Sequence, residues 1–168
     1  MKIGILGGSF DPAHKGHLAI SREAKRRFKL EKIIWAVTKK NPLKAESKTP
    51  ISKKIKDCKK IIGMNSFIKV KFYENIIKSN KTIDLISYLK KDKKIEIFFL
   101  MGADNLINFH KWFRSKLISQ KCNIIVFDRH GYKKNSLKSK TFKRLNNKTL
   151  TFVKFKKVNI SSSQLRKI

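Results

Sequence analysis

The chain is short of acid. Its 168 residues include 11 Asp and Glu against 42 Lys and Arg, for a formal net charge of +31. Partners drawn by such a field are anions, so an acidic, cation-gathering protein is excluded. Cysteine is nearly absent as well. Cys58 and Cys122 stand far apart, with no CxxC and no His at supporting spacing. That excludes a disulfide framework and argues against a zinc site, so the expected metal ligands are none. Both are expected to be reduced, buried thiols in a cytoplasmic protein. Apolar runs such as Ile97 to Met101 fall far short of the roughly 20 residues of a membrane span. The N-terminal apolar stretch is too short, and too soon broken by Asp11 and Pro12, for a signal peptide. There is no internal repeat, linker or low-complexity break.

What is present is enough for a core. Hydrophobic residues make up 40% of the chain, and the length suits one domain spanning residues 1–168. The positive charge consists of 35 Lys and only 7 Arg, alongside 22 Ile and 11 Asn. Codons for Lys, Ile, Asn and Phe are AT-rich, so genome composition can produce this pattern. The lysines are also spread along the chain rather than gathered in an arm. A basic nucleic-acid-binding protein without enzymatic activity stays open as an alternative, although no RNP, KH or zinc-finger pattern occurs. The field should attract anionic substrates and bind polyanions weakly, in a salt-sensitive way.

Along the chain, strand-like and helix-like stretches alternate. Lys2 to Leu6 reads as a buried strand ending in Gly-Gly. Residues 16–28 carry apolar Leu18, Ile20, Ala24 and Phe28 at helical spacing. Lys32 to Thr38 is a second strand, followed by a polar loop. Thr49 is expected to cap a helix with Pro50 at its first position. Phe67 to Tyr73 alternates like a half-exposed strand. Thr82 is expected to cap a short helix. Ile95 to Met101 reads as a central strand and Cys122 to Phe127 as another. A helix is expected around Leu137 to Leu145, a strand over Leu150 to Phe155, and a helix start at Ile160 to Arg166. This order predicts an α/β fold: a doubly wound, Rossmann-like parallel sheet with helices on both faces. Ligands in such folds sit beyond the carboxyl ends of the strands, where strand order reverses.

The stretch that would occupy that place is Gly7-Gly8-Ser9-Phe10-Asp11-Pro12-Ala13-His14-Lys15-Gly16-His17. Gly7 and Gly8 let backbone N–H groups approach a phosphate or ribose. The stretch is neither GxxxxGK[ST] nor GxGxxG. His14 and His17, three apart at a helix start, can present both rings on one face. With the positive field of a helix N-terminus, they suit a polyphosphate whose oxygens gain charge in a transition state. Alone, two histidines could equally be a satisfied surface pair.

These residues resemble the HxGH nucleotidylyltransferase superfamily, and within it nicotinate-nucleotide adenylyltransferases. Besides the GGSFDP and HxGH residues, Thr82-Ile83-Asp84-Leu85 is similar to that family's TxDTL segment. Met101 to Leu106 with Phe109 to Trp112 is similar to its GADxLxxFxxW segment, and Ile160 to Arg166 to its ISSTxIR segment. The family has a His between Pro42 and Lys44 in many members, where this chain has Leu43. The resemblance implies transfer of AMP from ATP to nicotinate mononucleotide in NAD biosynthesis, with Mg²⁺ accompanying ATP. It implies catalytic roles for His14, His17, Lys44 and Arg166. Gly7, Gly8, Ser9, Phe10, His17, Gly102, Asp104, Ile160, Ser161, Ser162, Ser163 and Arg166 would bind ATP. Lys44, Thr82, Asp104, Trp112, Phe113 and Arg129 would bind the mononucleotide. Pantetheine-phosphate adenylyltransferase, which shares HxGH and a closing ISSS, is the alternative within the superfamily. No specific nucleic-acid or membrane partner is implied; a homo-oligomer is left open.

Overall fold

Six strands line up in one sheet, and every neighbouring pair in it runs parallel. The computed structural model describes residues 1–40, 47–145 and 148–155. In chain order its elements are β1 (Lys2–Gly8), α1 (Lys15–Phe28), β2 (Lys32–Val37), α2 (Ile51–Ile62), β3 (Ile68–Lys71), α3 (Glu74–Ile77), α4 (Thr82–Leu89), β4 (Glu96–Gly102), α5 (Ala103–Asn108), α6 (Ser115–Lys121), β5 (Asn123–Phe127), α7 (Lys133–Leu137), α8 (Lys140–Leu145) and β6 (Leu150–Val153). A single 3-10 turn, Phe109–Lys111, joins α5 to the segment before α6.

Strand order is β3-β2-β1-β4-β5-β6. The chain therefore starts in the middle, builds outward to β3, crosses back, and builds the other half from β4. Order reverses between β1 and β4, where Leu6 pairs with both Trp35 and Leu100. This is the doubly wound arrangement expected from the sequence.

The two-residue period of the strands divides their side chains between two cores. Ile3, Ile5, Ile34, Phe99 and Val126 face one core, covered by Ile83 and Ile86 of α4, Leu106 of α5, Ile118 of α6 and Leu145 of α8. Leu6, Ile33, Trp35, Leu100 and Ile125 face the other, covered by Ala24 of α1 and by Cys58 and Ile62 of α2. Helices thus lie on both faces. At Gly4 the second core comes against bare backbone: a Cβ there would stand 2.9 Å from Leu30 Cδ1. Cys58 and Cys122 are buried free thiols, and burial raises the pKa of each to about 12. Among the described residues, no helix is long and apolar enough to cross a membrane.

Several local expectations need correction. β1 runs on through Gly7 and Gly8 rather than ending at Leu6. Thr49 does not cap α2; Pro50 occupies the cap position without a side-chain bond. The Thr49 hydroxyl instead donates to Asp11 Oδ1 at 2.7 Å, a charge-assisted bond. Thr82 is the first residue of α4, and Lys81 precedes it as an N-cap with no side-chain bond. The nearby hydroxyl, Ser79 Oγ, accepts from the Lys81 N–H at 3.0 Å and donates to Asp84 Oδ2 at 2.6 Å. The helix expected near 137–145 is two short helices, α7 and α8. Elements α3, α5 and α6 span four, six and seven residues, too short to display a helical period in the sequence. The late strand ends at Val153. The expected helix start at 160–166 and most of the loop before α2 lie outside the described residues.

Candidate active site

The carboxyl end of β1 leads into α1, and the two histidines build that helix's first turn. His14 is the N-cap. Its Nδ1 accepts the Gly16 N–H at 3.0 Å. In return His17 Nδ1 accepts the His14 N–H at 3.1 Å. The pair forms a reciprocal capping box out of imidazoles, a job usually done by Ser or Thr with Glu. Because each Nδ1 is an acceptor, the proton of each neutral ring belongs on Nε2. The rings stack with centroids 3.8 Å apart. Burial, and after it the Arg129 guanidinium, brings the His14 pKa from 6.5 down to about 4. Burial, then His14, then Arg129 push His17 well below its ordinary value. At neutral pH both rings are uncharged donors.

A stack of rings supports them. Phe10 is 2% exposed; its ring lies 4.6 Å from His17 and 5.1 Å from Trp35. Phe10 holds a left-handed φ of 48°, strained for a bulky residue and sustained by what surrounds it. Trp35 Nε1–H donates to Ser21 Oγ at 2.8 Å, and Ser21 Oγ–H donates to the His17 carbonyl at 2.8 Å. This relay ties the first turn of α1 to β2.

Among the described residues, two cavities open at the carboxyl ends of the strands. The first contains His14, His17, Gly16, Gly102 and Arg129. The second contains Thr38, Glu74, Lys81, Thr82 and Trp112. Gly7 and Asn105 line both, so the cavities meet over the switch point between β1 and β4. On the wall of the first, Arg129 donates from Nη1 to Asp104 Oδ2 at 2.6 Å; Asp104 itself stands behind Arg129, outside the lining of both cavities. Asp104 Oδ1 is buried and has no hydrogen-bond partner among the described residues. Gly102 leaves room for this carboxylate, since a Cβ there would stand 2.5 Å from that oxygen and the side chain would have to shift. In the second, Trp112 packs edge-on to Phe99 at 5.9 Å and beside Phe109 at 5.1 Å, which fixes the ring while leaving it on the cavity wall. The first turn of α4 faces this cavity through Thr82, with no side-chain cap over its N–H groups.

Comparison with known proteins bears on this geometry. The sequence model of the cytidylyltransferase-like family matches residues 5–168. A Pelagibacter ubique protein named as a probable nicotinate-nucleotide adenylyltransferase is 67% identical over 167 residues, 99% of this chain and 93% of that protein. The chain belongs to the cytidylyltransferase-like family. Within that family it stands with the nicotinate-nucleotide adenylyltransferases. A Methylorubrum extorquens relative of the same name is 37% identical over 79% of this chain and 72% of its own length. The Plasmodium falciparum nicotinic acid mononucleotide adenylyltransferase complexed with NaAD superposes with a TM-score of 0.82, at 22% identity, over 99% of this chain and 82% of that one. At that identity it speaks for the fold alone.

The family's motif residues fall at the two cavities, with differences. Gly7, Gly8, His14, His17, Gly102, Thr82, Trp112 and Arg129 line one or the other. Arg129 lies on the histidine side rather than beside Trp112. Phe10 supports the histidines and its ring lines neither cavity. Phe113 is 53% exposed, outside the lining of either cavity. Ser9 is partly exposed in the turn after β1. Lys44, Ile160, Ser161, Ser162, Ser163 and Arg166 lie outside the described residues. Sequence reading missed Asn105, though it follows Asp104 in the motif already singled out. It also missed Thr38 and Glu74, whose side chains bond to each other, and Lys54, which is 1% exposed and donates to the Thr38 carbonyl at 3.1 Å. A lone Lys among 35 carries no signal of burial.

Proposed function

We propose that the chain transfers AMP from ATP to nicotinate mononucleotide, releasing pyrophosphate and forming nicotinate adenine dinucleotide, a step of NAD biosynthesis. The carrying observation is the junction of the two cavities at Gly7 and Asn105. One side offers donors for a triphosphate, the other an aromatic wall for a pyridine ring, and the reacting phosphates would meet between them. The naming of the 67% identical relative supports the same reading.

In the reaction, a phosphate oxygen of the mononucleotide bonds to the α-phosphorus of ATP, and the bond from that phosphorus to the bridging oxygen breaks. Both partners are anions, so the barrier is largely charge repulsion and alignment. His14 and His17 would donate from Nε2 to oxygens of the α- and β-phosphates, stabilising charge that grows on the departing pyrophosphate. Arg129, held by Asp104, would supply the adjacent positive charge. Asp104 Oδ1 would accept from a ribose hydroxyl. Trp112 would stack on the pyridine ring, with Thr82 at its edge. Following the family, we assign Lys44 to the mononucleotide phosphate, and Ile160, Ser161, Ser162, Ser163 and Arg166 to the ATP phosphates. Among the described residues, no group of three His, Cys, Asp or Glu could hold a metal ion. Following the family, Mg²⁺ would accompany ATP and would neutralise part of the charge on its phosphates. The substrates are soluble phosphates, and we place the enzyme in the cytoplasm.

The test is pyrophosphate release from ATP with nicotinate mononucleotide, against a parallel reaction with pantetheine phosphate. Turnover with the first and little with the second is expected. Robust turnover of pantetheine phosphate would overturn the assignment.

A further inference from the structure

Lys54 is 1% exposed, and no other lysine among the described residues is buried. It opens the buried stripe of α2, followed at four-residue spacing by Cys58 and Ile62. Those two pack into the same core as Ile33 and Trp35. An apolar side chain of similar length would serve that packing. An amino group placed there is costly unless it is hydrogen-bonded, and Lys54 Nζ donates to the Thr38 carbonyl at 3.1 Å. Lys54 itself lines neither cavity.

Thr38 stands just beyond β2, where pairing with β1 ends at Gly8 and Val37. Each of its polar groups is held from a different element. The N–H donates to the Gly8 carbonyl at 3.0 Å. The carbonyl accepts from Lys54 of α2. The hydroxyl donates to Oε1 of Glu74, the first residue of α3. Gly8, Thr38 and Glu74 all line the cavity walled by Trp112, and none of them lines the cavity of the histidines. An unbroken chain of bonds therefore runs from a buried amino group to one wall of one cavity.

Resting on the function proposed above, we propose that Lys54 is a positioning residue for the reaction, which acts through Thr38 to fix Thr38 and Glu74 as one wall of the mononucleotide cavity. The need for such a brace follows from the chemistry of that wall. A carboxylate in a cavity meant for an anionic substrate must be held where it meets hydroxyls rather than phosphate. The Thr38 hydroxyl holds it, and Thr38 is in turn held by Lys54. Without Lys54 the Thr38 carbonyl loses its donor inside the protein, and the wall shifts to find another. The ATP side, which shares neither Thr38 nor Glu74, should not respond.

The experiment measures kcat and KM for nicotinate mononucleotide and for ATP in the unaltered chain and in Lys54→Met, Lys54→Arg, Thr38→Val and the double variant Lys54→Met with Thr38→Val. Methionine keeps the length and packing of the stem and removes the donor. Lys54→Met is expected to raise KM for the mononucleotide about tenfold, the effect of losing one buried bond to a charged donor, with KM for ATP unchanged. Lys54→Arg, which keeps a donor, should restore most of the loss. Thr38→Val cuts the next link and should raise the same KM. The double variant should cost less than the product of the two single effects, because both act through one wall. A mononucleotide KM that stays within twofold in Lys54→Met, equal rises for both substrates, or single effects that multiply in the double variant overturn the proposal while leaving the adenylyl-transfer reading intact. If Lys54→Met does not fold, an unchanged mononucleotide KM in Thr38→Val overturns it instead. An unaltered chain that does not turn over nicotinate mononucleotide overturns both.

Discussion

Lowering the pH from 7 to 4 should destabilise the fold through His14 alone by about 3 kcal/mol. In the unfolded chain this imidazole titrates near 6.5, and in the folded chain near 4. Between those values the unfolded state binds a proton that the folded state refuses. Stability therefore falls as pH falls through that window and levels off below it. A gap of about two and a half pH units corresponds to about 3 kcal/mol. The refusal has a structural origin: the ring is 8% exposed, its Nδ1 already accepts the Gly16 N–H, and Arg129 adds positive charge. The reference is His14→Asn, which keeps a side chain suited to capping but does not titrate. Urea unfolding of both proteins at several pH values between 7 and 4 gives the difference. Carboxylates titrate in both and largely cancel; Glu23, held to about 2 by Arg26 and Arg27, titrates below the window. The unaltered protein should lose about 3 kcal/mol more than the variant. Stability curves that stay parallel over the whole range would refute the reasoning. The same assignment has a kinetic side. For the free enzyme, kcat/KM should pass through pH 6.5 without the inflection that an active imidazolium would produce.

Removing His17 as His17→Ala should lower kcat by about two orders of magnitude, the effect of deleting one positioned donor, while circular dichroism stays native; an unchanged kcat would remove His17 from the reaction. Gly102→Ala puts a Cβ 2.5 Å from Asp104 Oδ1. The carboxylate must then move off Arg129, and KM for ATP should rise about tenfold, the worth of one charge-assisted bond, with little change in KM for the mononucleotide. Trp35→Phe deletes the donor to Ser21 Oγ and should cost about 1 to 2 kcal/mol in urea unfolding.

The sheet was legible because parallel strands are buried on both sides and read as apolar runs. Ile97–Met101 and Ile124–Phe127 are both buried throughout. The long helices were legible from their periods. Short elements were not, because a four-residue helix such as α3 contains barely one turn. The two threonines differ from expectation for different reasons: the Thr49 hydroxyl is taken by Asp11, distant in sequence, whereas α4 begins one residue early, so that Thr82 is already inside it. The location of the site followed from Gly7, Gly8, His14 and His17. Its interior did not: nothing local announces that Trp35 reaches Ser21, that Arg129 reaches Asp104, or that Asn105 faces two cavities at once. Those contacts arise only once the sheet is assembled: α1 packed on β2 brings Ser21 to Trp35, and the carboxyl ends of β4 and β5 bring Asp104 to Arg129.

The charge that dominates the composition and the chemistry proposed for the site rest on different residues. Two imidazolium ions stacked at 3.8 Å would repel by about 4 kcal/mol at an effective dielectric constant of 20. The chain avoids this by keeping both rings neutral and orienting them with backbone hydrogen bonds. The donors are thus in place before any anion arrives, and no charge must be relocated as the reaction proceeds. Fixed positive charge at the site comes from Arg129, set by its bond to Asp104. The surplus lysines act beyond this range. Their field is screened over about 8 Å at physiological salt, so it can draw phosphorylated substrates toward the cavities but cannot decide what happens once they are seated. That decision belongs to donors positioned within hydrogen-bond reach, chiefly the imidazoles that cap α1.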